Sequence, residues 1–141
     1  MNRSIPFVKA TACGNDFLLI DGSAVGDDDR KPVTQKLCDR HLGIGADGVE
    51  WLFPATEADV YAHLINSDGS NAEVSGNGTR CVAAWHTWKN LTQYQRPPDN
   101  MDDLLATIGR DSTVRVLTDA GVKACKLVKQ TGPEFEFRSD M

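Results

Sequence analysis

The chain has 141 residues, enough for one domain, with 40% hydrophobic and 25% charged residues, as in soluble globular proteins. A net charge of −5 and the lack of any Lys/Arg cluster argue against a nucleic-acid surface. No apolar run approaches the ~20 residues of a membrane span, and residues 1–12 hold no apolar signal core, so a cytoplasmic location and no membrane partner are expected.

The four cysteines, Cys13, Cys38, Cys81 and Cys125, form no C-x-x-C pair, so neither a zinc nor a redox motif is indicated. Cys38 and Cys81 sit in apolar helical settings and read as buried free thiols.

Residues 4–12 alternate loosely and read as a strand. Cys13-Gly14-Asn15 breaks it, and residues 16–21 resume as an apolar strand. A charged loop is expected over 26–31. Val33, Leu37, Cys38 and His41/Leu42 fall at helical spacing, so a helix is expected over 33–42, ended by Gly43. Gly43-x-Gly45-x-x-Gly48 matches the dinucleotide pattern, but it follows a helix and leads into a strand, the reverse of the context that pattern needs; it reads as a helix-to-strand turn. Residues 48–53 and 59–66 read as strands covered on both faces, and residues 73 and 74 as a short extension. A helix expected from 79 to about 89 is apolar on nearly all sides at 81–85, and such a helix must be enclosed. Pro97-Pro98 stops any helix, and a short one is expected over 101–108. A hairpin of strands 113–118 and 122–128 turns at Asp119-Ala120-Gly121, and a last strand is expected over 134–138. These elements predict an α+β fold, with a curved mixed or antiparallel sheet of about eight strands wrapped around one central helix.

The most informative stretch is residues 66–84. Asn66-Ser67-Asp68-Gly69 is turn chemistry. In Ser75-Gly76-Asn77-Gly78 the glycines let the backbone approach a ligand, and the helix that follows offers free N–H groups to a carboxylate. The pattern Asn66-x-Asp68-Gly69-Ser70-x-Ala72-Glu73-x-x-Gly76-Asn77-Gly78-x-Arg80-Cys81 resembles the active-site segment of diaminopimelate epimerase. Gly14-Asn15-Asp16-Phe17 and Leu37-Cys38-Asp39-Arg40-His41-x-Gly43-Ile44-Gly45-Ala46-Asp47-Gly48 match the same family in the same order. The likeness runs from about residue 7 to about residue 137 and is weak between 86 and 112. It implies two similar halves facing across a cleft, of which residues 1–141 have the length of the first. It implies no cofactor and a small amino-acid substrate, LL-2,6-diaminopimelate, converted to the meso form on the path to lysine. Substrate contacts implied by the motifs are the side chains of Asn15, Asn66 and Asn77 and the backbone N–H of Gly76. The competing reading of the asparagines is turn stabilisation.

Inverting an α-carbon without a cofactor needs one group to remove the proton and another to return one from the opposite face. Thiols suit the task, because a helix N-terminus tunes their pKa from ~8.5 toward neutrality. The resemblance puts one thiol just before Gly-Asn-Gly and the other in the second half. Here the first position is Ser75, a far weaker acid. Three accounts stay open: an engineered serine that traps an inactive form, a natural serine with altered chemistry, or a thiol supplied by Cys13 from the neighbouring loop. The isolated half is expected to be inactive. Glu73, Arg80, His41, His63 and His86 read as structural or surface residues. A reading of another class is a binding module that forms a homodimer or pairs with a second half; other racemases or isomerases of the same fold are a third.

Overall fold

The computed structural model describes residues 4–91 and 113–139. Eight strands are described: β1 (Val8–Ala12), β2 (Asn15–Asp21), β3 (Gly48–Phe53), β4 (Val60–Asn66), β5 (Asn71–Ala72), β6 (Thr113–Thr118), β7 (Gly121–Thr131) and β8 (Glu134–Ser139). They share one sheet in the order β1-β2-β3-β4-β6-β7-β8, with β5 paired to β4. The β2/β3 and β4/β6 pairs are parallel and the others antiparallel, so the sheet is mixed, as expected.

Two helices are described, α1 (Arg30–Cys38) and α2 (Gly76–Leu91). α2 touches both edge strands, β1 and β8, as well as β2, β4, β6 and β7. Seven strands at ~4.8 Å spacing would be nearly 30 Å across if flat, whereas a helix is only about 10 Å wide. The sheet must therefore curl around α2 into a half-barrel, as expected of a curved sheet wrapped around one central helix. Alternation along the strands sorts the core into two faces. Phe17, Leu19, Ala62 and Leu64 pack with Cys81, Val82 and Ala83 of α2 on the inside. Leu18, Ile20, Val49, Trp51 and Ile65 form the outer core, against which Val33 and Leu37 of α1 pack. Trp51 is fully buried there and donates its indole N–H to Thr34 Oγ1 at 3.0 Å.

The hairpin and strand expectations hold to within a few residues; the helix boundaries do not. α1 begins three residues early and ends at Cys38, not at residue 42. A 3-10 turn over Asp27–Asp29 feeds straight into it, where a loop was expected. It stops because Asp39 Oδ1 accepts the N–H groups of His41 and Leu42 at 2.8 and 2.9 Å, drawing the chain into an Asx turn. The 43–46 loop then folds back: Ile44 and Gly45 donate to the Leu37 carbonyl and Ala46 to that of Cys38. So the glycine-rich loop caps the end of α1 and leads into β3, and the dinucleotide pattern is a turn. α2 also starts three residues early, at Gly76, so Gly-Asn-Gly is its first turn and not a loop before it. The expected extension at 73 and 74 is displaced to β5 at Asn71–Ala72. The expected short helix over 101–108 lies outside the described residues.

Candidate active site

The turn that joins β5 to α2 carries the candidate site. Ser75 is the N-cap of α2: its Oγ accepts the Gly78 N–H at 3.1 Å and its carbonyl accepts the Thr79 N–H at 2.8 Å. This cap lets two glycines and an asparagine, all poor helix formers, adopt helical geometry. The amides of Gly76 and Asn77 have no acceptor among the described residues, and both residues are half-buried. An anion resting there would meet two free N–H groups and the positive end of a 16-residue helix.

Asn77 Nδ2 donates to Asn15 Oδ1 at 2.7 Å, and Asn15 Nδ2 donates to Asp47 Oδ2 at 3.0 Å. Asp47 is a carboxylate and accepts only, so the Asn15 amide nitrogen must face it and its oxygen must face Asn77. The two asparagines are thus brought together and oriented, although 62 residues of sequence separate them. Asp47 also donates its N–H to the Asp16 carbonyl at 2.9 Å, and its carbonyl accepts the Ser67 N–H at 3.0 Å. Arg40 completes the frame, gripping Asp16 with both terminal nitrogens at 3.0 and 2.8 Å and reaching Asp47 Oδ1 at 3.1 Å. The hydrogen bonds from Arg40, aided by Lys9 at 3.2 Å, hold the Asp16 carboxyl well below the usual carboxylate range. Arg40 and Asp47 stand within a family-like motif of the sequence, where no role was expected of them. The signal was present: an Arg and an Asp flanking a glycine turn that must close on the Gly14-Asn15-Asp16 hairpin.

Asn66 is built mainly into its own turn. Its side chain donates to Ser70 Oγ at 3.1 Å, and its backbone N–H and C=O bond Ser70 and Gly69 at 2.8 Å each. Gly69, at φ +88°, permits that turn, and Gln35 packs against the missing Cβ. Asn66 pairs in register with Gly48, next to Asp47, so its strand end borders the same frame.

Cys13 is exposed and sits at φ +49° in the two-residue β1–β2 turn. With Gly14 at φ +86° it makes the double left-handed pair typical of a tight hairpin. It lines a cavity of about 780 Å³ between β1, α2 and β8, together with Arg80, Trp85, Trp88 and Phe135. A second cavity, about 600 Å³, lies toward the far end of α2 beside His86 and Asp59. Neither of these two cavities is lined by Asn15, Asn66 or residues 75–78. Burial pushes the Cys81 thiol up to about 12 and Cys38 up to about 11, which makes both inert at neutral pH. Among the described residues no cluster of His, Cys, Asp or Glu could hold a metal ion. His63 instead meets Asp119 at 3.0 Å, and Tyr61 donates to the same carboxylate at 2.7 Å. No helix of the described residues is long and apolar enough to cross a membrane.

Glu50 was missed altogether. It lies in an otherwise apolar strand, is 2% exposed, and faces the first turn of α2.

Comparison with known proteins agrees with this architecture. Two solved structures share the fold: a hydroxyproline epimerase from Agrobacterium vitis, with TM-score 0.58 and 16% identity over 96% of this chain and 40% of that one, and a phenazine biosynthesis protein from Bacillus anthracis, with TM-score 0.53 and 12% identity over 86% and 34%. Among sequence relatives, the diaminopimelate epimerase of Pelotomaculum thermopropionicum is 36% identical over 137 residues, 96% of this chain. That of Elusimicrobium minutum is 51% identical over 76 residues, 54% of this chain. The chain spans 43% of the first relative's length and 28% of the second's. The family model described as diaminopimelate epimerase matches residues 7–138, and on that match, with its three motifs gathered at the mouth of α2, the chain belongs to the diaminopimelate epimerase family.

Proposed function

We propose that residues 1–141 form the first half-domain of an epimerase that moves a proton at the α-carbon of LL-2,6-diaminopimelate, giving the meso form for lysine synthesis in the cytoplasm. The observation that carries this reading is the site's construction: the Ser75–Gly78 turn opens an enclosed helix, with Asn15 and Asn77 hydrogen-bonded at its mouth. The substrate carboxylate rests on the Gly76 and Asn77 amides. There the helix N-terminus also stabilises the negative charge that develops when the α-proton leaves. One face of that carbon meets residue 75. The group for the opposite face comes from residues outside this chain, since the relatives are more than twice as long.

Ser75 gives this half a cap in place of a thiol. A hydroxyl does not remove a carbon-bound proton at neutral pH, so the isolated chain binds substrate without turning it over. Two measurements test the reading. Adding diaminopimelate should shift the Gly76 and Asn77 amide resonances more than those of residues on β7 or β8. In deuterated water this chain alone should leave the α-proton unexchanged, while Ser75→Cys supplied with the second half of a relative should exchange it. Unmoved amides, or rapid exchange by the isolated chain, would refute the proposal.

A non-catalytic pairing module is the second reading. Leu42 is 92% exposed, and Ile44 and Val74 are also exposed, the last beside Ser75. Apolar side chains around a polar mouth suit a surface that another half-domain covers. Light scattering separates the two: a stable homodimer favours pairing between copies, and a monomer that binds diaminopimelate favours the enzyme half.

A further inference from the structure

Glu50 is the one buried acidic residue among the described residues, and substrate binding at the α2 N-terminus does not use it. It sits in β3 between Leu19 of β2 and Leu64 of β4, both apolar and both in register with it. The residue is 2% exposed, and among the described residues its carboxyl has neither a hydrogen-bond nor an ion-pair partner. Its position shows what it faces. A methyl group placed on Gly78 would collide with Glu50 Oε1 and would lie 3.4 Å from Ser75 Cβ. The carboxyl therefore lies directly beneath the first turn of α2, on the core side of the amides that face the mouth.

We propose that Glu50 is a positioning residue of the α2 N-terminal site: while it carries its proton the first-turn amides are free to hold an anion, and once ionised it claims their field and drives the anion off. The inference rests on the reading that a carboxylate binds at this helix end. Two negative charges on either side of one helix turn compete for the same half-unit of positive charge and repel each other. Burial pushes the Glu50 carboxyl up to about 8, and the like charge of Asp119 in the β6–β7 turn adds to the rise. From α2 the ionisable neighbour is Cys81, which stays a neutral thiol until about 12. β2 and β4 present only leucines to it in register. Cys81 thus stays neutral across the range in which Glu50 changes charge.

The test compares wild type with Glu50→Gln, measuring the dissociation constant for diaminopimelate from about pH 6 to about pH 10. The ligand's own titration is common to both proteins and cancels in the ratio. Wild type should weaken relative to the variant by roughly tenfold as pH rises through 8. Parallel curves would overturn the role of Glu50 and leave the anion site standing, whereas no binding by either protein at any pH would overturn the site itself and this inference with it. Should Glu50→Gln fail to fold, the ligand-free wild type still decides. The Glu50 carboxyl carbon and the Gly76 to Gly78 amides should shift together in one step near pH 8, and separate or absent steps would refute the coupling.

Discussion

Glu50 costs stability wherever the unfolded chain would ionise it. Unfolded, it releases its proton near the ordinary 4.5; folded, it keeps it to about 8. Between those values the unfolded state binds fewer protons, so stability falls as pH rises and levels off above 8. Glu50→Leu, which continues the apolar row of Leu19 and Leu64, should remove that slope. It should be more stable than wild type at pH 8, by up to roughly 4 kcal/mol, and little different near pH 4, as measured by urea unfolding across pH. Asp16 works in the opposite sense. Arg40 holds its folded carboxyl far below the ordinary value of 3.8, so its contribution is complete above that value and is lost as pH falls below it. Asp16→Asn should blunt acid unfolding below pH 4 and, by releasing Arg40, loosen the Asn15–Asn77 pair, a change visible in the Asn77 side-chain amide resonances.

At the scale of elements, the start of α2 depends on one hydroxyl. Ser75→Ala removes the Oγ acceptor of the Gly78 N–H and should cost about 1 kcal/mol in thermal unfolding. Ser75→Cys should cost somewhat less than that and keep the fold, because a thiol is a weak acceptor but a similar shape. α1 teaches a related lesson. Its periodic apolar residues continue to Leu42, yet the Asp39 side chain captures two N–H groups and ends the helix four residues earlier. Leu42 then points into solvent rather than onto the sheet.

At the scale of the molecule, the half-barrel is a sheet closed over one helix, and α2 packs directly on its inner face. Ala83 is fully buried there with Val82 and Leu64. Ala83→Leu should cost ~1–3 kcal/mol and broaden the amide spectrum of the inner strands, because the sheet cannot open without losing its contact with α2 at both edges. A fully tolerated leucine would mean that the helix is not clasped as described.

Local chemistry made most of the strands legible. Apolar runs bounded by turn residues mark β2, β3 and β4, and alternation about a turn marks the 113–131 hairpin, because each depends on neighbours a few residues apart. The motif order was equally legible, and with it the family. An all-round apolar stretch at 81–85 also required an enclosing sheet before any coordinates, since such a surface is not stable in water. What sequence reasoning left unread depends on partners distant along the chain. Asp47 orients Asn15 from 32 residues away, and Asn15 orients Asn77 from 62. Glu50 reads as an ordinary acid in a strand until α2 is laid over it, and Cys13 reads as a candidate thiol beside Asn15 until the fold sets it on the cavity between β1, α2 and β8. The residues and their order settled the kind of protein this is. Only the closure of the sheet decided which of its polar groups share one site, because that sharing is a property of distance through space and not along the chain.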